Sequence, residues 1–144
     1  MNNTIKKAAA VFAAAMTILS ASAMPAFANN HTDRKWNVYH GSSTYSERKD
    51  DTSSVYVYNQ SKYGVTVSVY GRSGKYGSNI DVSWCSGYPR KFATTGLFVP
   101  AGEKRLIHQY VKEKKYSSAA IVLTGYDSSG WWSPDSVGSY QYAN

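Results

Sequence analysis

The chain has a single cysteine, Cys85, so no intrachain disulfide can form and the fold must stand on packing. A lone cysteine without the flanking motif of a nucleophile loop reads as a small buried hydrophobe, with an intermolecular disulfide as the lesser alternative. Acids are few, nine Asp and Glu against 16 Lys and Arg. Glycoside hydrolysis needs two carboxyls in one cleft, and here only Asp81 sits in the middle of a strong candidate strand. The three histidines, His31, His40 and His108, are too far apart to form a close-spaced zinc pair. Helical periodicity is nearly absent, which leaves no amphipathic helix to lie on a membrane. Gly71–Gly77 has the glycines of a phosphate-cradling loop, but no helix pattern follows it.

What is present begins with a leader. Lys6 and Lys7 precede the apolar run Ala8–Leu19, which is short for a bilayer span and right for the core of a signal peptide. Ala26-Phe27-Ala28 supplies the small-x-small cleavage pattern. Cleavage is therefore expected after Ala28, with Ala23 as the weaker alternative, and the product is one exported domain over 29–144 with frayed ends at Asn29–Asp33 and Ala143–Asn144. No second anchor is read in the sequence. The net charge is +7 for the whole chain and +5, 14 basic against 9 acidic residues, without Lys6 and Lys7, an excess that favours acidic polymers without conferring specificity. Nucleic acid is not the expected partner, because the basic residues are scattered doublets such as Arg48-Lys49 that point to opposite faces of a strand.

Beyond the leader, alternation of period two dominates. Trp36–His40, Ser53–Asn59, Gly64–Tyr70, Asn79–Cys85, Lys91–Val99, Lys104–Val111, Ser118–Tyr126 and Val137–Tyr142 read as strands. Val65, Val67 and Val69 share one face of theirs, the mark of a strand with one side on a core. Ser53–Asn59 and Gly64–Tyr70 are expected to pair as a hairpin, and Ser118–Tyr126 to be covered on both sides. Lys112–Lys115 reads as an exposed loop. Seven to eight short strands with turns between them indicate an all-β, compact antiparallel β-sandwich of immunoglobulin-like or jelly-roll type, with a small barrel as the alternative.

Aromatic residues are in surplus: 13 Tyr and 4 Trp, all beyond the leader. Tyrosine offers a rigid ring and a wet hydroxyl to a ligand, and equally covers its neighbours on a pleated face. Trp131-Trp132 stand between Gly130 and Ser133-Pro134-Asp135, which suggests a tight arch with one ring capping the core and the other at least partly exposed. Residues 115–140, KYSSAAIVLTGYDSSGWWSPDSVGSY, and more loosely SSVYVYN at 53–59, resemble small secreted proteins of uncharacterised function from Gram-positive bacteria that end in a Gly-Trp-Ser-Pro-Asp-Ser segment. The resemblance implies export and supplies no catalytic residues. In size and aromatic tail the chain is also similar to small β-sandwich bacteriocins of the lactococcin 972 type.

The expected function is that of a non-catalytic module, with no cofactor, that binds cell-wall or other extracellular glycans or acidic polymers. Trp131, Trp132, Tyr126 and Tyr116 would stack on sugars, and Lys112, Lys114 and Lys115 would attract acid groups. A bacteriocin-like or membrane-active effector, and a self-associating surface protein, are the alternatives to a monomeric binder. Asp127 and Asp135, with Ser128, are weak calcium candidates at the arch, and their plainer reading is turn closure. A Cys85, His108 and Asp127 triad would have to unite three separate strands.

Overall fold

The computed structural model describes residues 31–73, 83–88, 91–92 and 95–144. The expected leader and cleavage site, most of the segment 71–77 expected as a turn, and positions 79–82 of the strand expected over 79–85 lie outside the described residues. Among the described residues nine strands are present: β1 Arg34–Arg48, β2 Val55–Asn59, β3 Val65–Arg72, β4 Ser83–Trp84, β5 Ser86–Tyr88, β6 Lys91–Phe92, β7 Leu97–Val99, β8 Lys104–Gln109 and β9 Ser118–Ser133. They form an antiparallel sheet in the order β4-β3-β9-β2-β8-β5-β6, with β1 added to β9 and β7 to β3. The fold is all-β as expected, with more strands than the expected seven or eight, two of them long.

Those two make the frame. β1 and β9 pair without a register shift from Arg34↔Trp132 to Arg48↔Ser118. Along this ribbon the inward face changes. Trp36 and Val38 point inward with Ser128, Gly130 and Trp132, whereas further along the inward residues are Tyr45 with Ala119, Ile121 and Leu123. Side chains alternate strictly in a regular strand, so a switch from even to odd positions needs a break. It lies where Tyr39 and Asp127 face each other unpaired; Asp127 itself (φ 41°) and nearby Gly41 (φ 90°) are left-handed. Glycine adopts that conformation without cost, and aspartate tolerates it better than most residues.

The break bends both strands. Eight residues of extended chain span about 26 Å, yet the Tyr45 hydroxyl accepts from the Asn37 N–H at 2.9 Å and lies 2.7 Å from the Asn37 Oδ1. Arg34 Nε reaches Glu47 Oε1 of the same strand at 3.4 Å. On β9, the backbone of Lys49 donates to Ser117 O at one end while its Nζ meets Asp135 Oδ1 at 2.6 Å beyond the other. A lysine side chain reaches roughly 6 Å from its Cα, so the two ends of a 16-residue strand are drawn together.

Because β9 curls, its free edge serves two strands: β3 along Ser118–Thr124 and β2 along Gly130–Ser133. The expected hairpin of β2 with β3 therefore does not form. The connection at 60–64 carries the chain from one half of β9 to the other, and the Asn59 side-chain amide holds it by donating to Tyr63 O at 2.8 Å. β2 then pairs with β8, β8 with β5, and β3 with β4. Only Cys85 separates β4 from β5, and it joins them to both sides: its N–H donates to Val69 O at 2.7 Å and its carbonyl accepts from Tyr110 N at 3.0 Å. The sheet thus nearly closes on itself, which makes it the small barrel rather than an open two-sheet sandwich. The interior holds Val55, Val57, Val65, Val67, Val69, Leu97, Ile107, Ile121, Leu123 and Trp132, and Cys85 among them as the expected small hydrophobe.

Two expectations near the end of the chain are corrected. Val137–Tyr142 is not a strand; Tyr142 alone makes a parallel bridge to Leu106. Ala143 and Asn144 do not fray, since Ala143 N donates to Leu106 O and Asn144 O accepts from Phe98 N, both at 2.9 Å. These bonds lie across the gap between the edges of β8 and β7.

The Lys49–Asp135 pair is fully buried on both sides. Lys49 also donates to Pro134 O at 2.6 Å, and Asp135 Oδ2 accepts from Asp50 N at 3.0 Å. Burial pushes the Lys49 pKa down, against the opposing pull of Asp135 and Asp51. Removing one partner strands the other charge, so Lys49→Met should cost about 3–5 kcal/mol in urea unfolding. Lys49→Met/Asp135→Asn should recover part of that loss, because asparagine is neutral and still accepts from Asp50 N. An unchanged midpoint in the single variant would show that the pair does not hold the ends of β9 together.

Candidate functional site

The register of the ribbon sets out a patterned outer face. Lys35 opposes Trp131 and Asn37 opposes Ser129, while Tyr39 stands across from Asp127. All six point away from the inward Trp36, Val38, Ser128 and Gly130. Tyr39 is 86% exposed and Trp131 is half-buried. A cavity of about 570 Å³ is lined by Lys35, Trp36, Asn37, Tyr45, Gln60, Ser129, Gly130 and Trp131. A second, of about 350 Å³, is lined by Asn37, Val38, Tyr39, Asp127, Ser128 and Ser129. Asn37 and Ser129 are common to both, so the two join into one groove along the ribbon. Both volumes fall within the usual range for small-ligand sites, about 300–1,000 Å³.

The groove is held from beneath. Trp36 Nε1 donates to Trp131 O at 3.1 Å, fixing the backbone that carries the outer ring. Gly130 makes this possible: a Cβ there would strike the Tyr58 carbonyl and come within 2.9 Å of the Trp36 ring. The outer face also extends sideways across the sheet, since Trp131 opposes Tyr58 and Tyr58 opposes Lys104. The row Lys35, Trp131, Tyr58, Lys104 thus sets two adjacent rings between two cations. Lys35 Nζ lies 5.3 Å from the Trp131 ring centroid, and Lys104 Nζ lies 5.1 Å from that of Tyr58 and 5.9 Å from that of Tyr140.

The expected site residues are dispersed. Trp131 and Trp132 belong to a continuous strand and not to an arch, and strand alternation divides them: Trp132 is in the core at 1% exposure, and Trp131 faces outward. Tyr126 is exposed and makes edge contacts with His40 and Tyr63 at 5.7 and 6.1 Å. Tyr116 packs against the core, its ring lying over Gly71. Lys112, Lys114 and Lys115 occupy the turn between β8 and β9, at the Ser118 end of the ribbon, while Trp131 stands near the opposite end. Lys114 Nζ donates to Trp84 O at 2.9 Å.

Asp127 and Asp135 do not converge on a cation. Asp127 is exposed at the ribbon's break, and Asp135 is buried against Lys49. Cys85 is enclosed, and burial raises its thiol pKa, which suits packing rather than nucleophilic attack. His108 stands between the rings of Tyr110 and Tyr142, at 4.9 and 6.2 Å, and burial lowers its pKa. Sequence reading did not single out Lys35, Asn37, Tyr39, Tyr58 or Lys104. The signal was available in Lys35-Trp-Asn-Val-Tyr39, whose strict alternation puts the lysine, asparagine and tyrosine on one face.

Comparison with known proteins adds the family. The chain belongs to DUF2712, a family of proteins of unknown function, whose model matches residues 24–136. That span contains both strands of the ribbon and every residue of the groove. No curated protein and no solved structure matches the chain.

Beside the groove, Tyr56 lies on the outer face but under Tyr140, with ring centroids 5.2 Å apart. Burial, aided by Tyr140, Asp33 and Tyr58, raises its pKa to about 12. A phenol whose folded pKa exceeds its unfolded value contributes stability in full below the unfolded value, near 10, and loses it as pH rises toward 12. Lys49, with its pKa lowered, acts in the opposite sense below 10.5. Melting temperature should therefore fall more steeply between pH 10 and 12 in the parent protein than in Tyr56→Phe. Parallel curves for the two would show that Tyr56 titrates normally and that Tyr140 does not seal it.

Proposed function

We propose that the protein is an exported, non-catalytic module that binds a glycan chain along the outer face of the β1–β9 ribbon. One observation carries this reading: the register puts Lys35, Trp131, Asn37, Ser129 and Tyr39 on one face, in front of two joined cavities. A sugar presents an apolar C–H face and a rim of hydroxyls. The groove offers the complement, aromatic rings at both ends and amide or hydroxyl groups between them. Trp131 and Tyr39 are four residues apart in register, about 13 Å along a strand, a distance that suits a chain of sugars better than a single ring.

The ligand class is a cell-wall or other extracellular polymer. Support comes from the leader pattern, from the positive charge of the chain, and from the resemblance of its closing block to exported Gram-positive proteins. Among the described residues Asp127 is the one carboxylate lining the two joined cavities. The chemistry that lining favours is therefore stacking and hydrogen bonding.

The test is sedimentation of the protein with purified Gram-positive cell wall at low and high salt. Tyr39→Ala, at so exposed a position, should leave the melting temperature unchanged and weaken binding about 5- to 10-fold. Trp131→Ala should weaken it more. Binding should persist in high salt with reduced affinity. Binding that salt alone abolishes, or that neither variant changes, would reduce the interaction to unspecific charge attraction and remove the groove from it.

A further inference from the structure

Resting on that reading of the groove, we infer that Lys35 makes the site select sugar chains bearing carboxylate or phosphate over neutral ones, by occupying the face of Trp131 that a sugar would use. The Lys35 ammonium stands 5.3 Å from the indole centroid. Among the described residues no acid is paired with it; the neighbouring Glu47 is engaged by Arg34 at 3.4 Å. Lys104 repeats the arrangement on Tyr58 at the far end of the row. Among the described residues, each of these two lysines rests on a ring and is paired with no carboxylate.

A ligand that stacks on Trp131 must move the ammonium aside. A neutral sugar gives the displaced cation nothing in return, so the lost cation–π contact counts against it. An acidic sugar takes the ring with its apolar face and the ammonium with its anionic group, replacing one partner with a stronger one. Selectivity then comes from a contact in the free protein that works against the wrong ligand, as well as from attraction to the right one. Adjacent strands are about 4.8 Å apart, so the two lysines are roughly 14 Å apart across three strand steps, with two rings between them.

The experiment compares three probes by calorimetry: a galacturonic acid hexamer, the same hexamer fully methyl-esterified, and a glycerol phosphate oligomer of equal charge that lacks sugar rings. The parent protein should favour the acid over the ester by at least about 10-fold at low salt, and should bind the ring-free oligomer more weakly than the acid. Lys35→Ala should weaken binding of the acid and strengthen that of the ester, reducing the ratio to about 2 or less. Lys35→Arg, which keeps the charge and the stacking, should retain it. Equal weakening of both hexamers by Lys35→Ala, or no effect on either, would overturn the role of Lys35 while leaving the groove intact. Binding of the ring-free oligomer as tight as that of the acid would overturn it too. If Trp131→Ala leaves all binding unchanged, it is the glycan groove itself that fails.

Discussion

The ion pair between Lys49 and Asp135 is the contact on which the rest of the barrel depends. Each end of β9 is attached to it, one through the backbone of Lys49 at Ser117 and the other through Asp135 just past Ser133. A chain without disulfides has no covalent means of holding a 16-residue strand in a curl. Burying two charges is costly unless they are paired and their remaining hydrogen-bonding groups are satisfied. Both conditions are met here, by Pro134 O on the lysine and Asp50 N on the aspartate. The same cost enforces register. A one-residue slip in the ribbon would reverse the facing of the core side chains and leave both charges buried without partners.

The bend that this pair secures also deals with an exposed edge. Among the described residues β1 is hydrogen-bonded to β9 on one side only, and a 15-residue edge strand is an open template for another chain. The break at Tyr39–Gly41 removes the hazard by folding β1 on itself. The Tyr45 hydroxyl then satisfies Asn37, and Arg34 reaches Glu47. What remains is no longer a flat edge.

Much of the core was legible in the sequence, and the reasons for the failures are specific. Val65, Val67 and Val69 announced their face by alternation, and all three are fully enclosed. β1 was read only to His40 because Gly41-Ser-Ser-Thr-Tyr-Ser-Glu47 carries small polar residues that resemble a loop, and no local pattern shows that β9 will pair with them. The false hairpin of β2 and β3 has the same origin: nearness in sequence suggested pairing, and a strand far along the chain took both edges instead. Lys49 looked like half of a solvated doublet with Arg48. Alternation does separate the two, exposing Arg48 and burying Lys49, but nothing nearby in sequence shows that an acid 86 residues away meets it.

Trp131 and Trp132 show how closely the core and the candidate site are connected. In an arch, two adjacent rings would find their places independently. In a strand, the inward seat of Trp132 dictates the outward seat of Trp131. The outer ring then inherits its fixed position from the interior: Trp36 donates to the carbonyl of Trp131 from within, and Gly130 leaves the space that lets Trp36 lie so close. A ring held this way loses little further freedom when a ligand stacks on it, which is how a rigid scaffold lowers the entropic cost of binding. The Lys49–Asp135 pair does not touch the groove, yet it holds the curl of β9, and the curl brings Asn37, Tyr45 and Trp131 around one cavity. The stability of the barrel and the shape of the groove are set by the same bend.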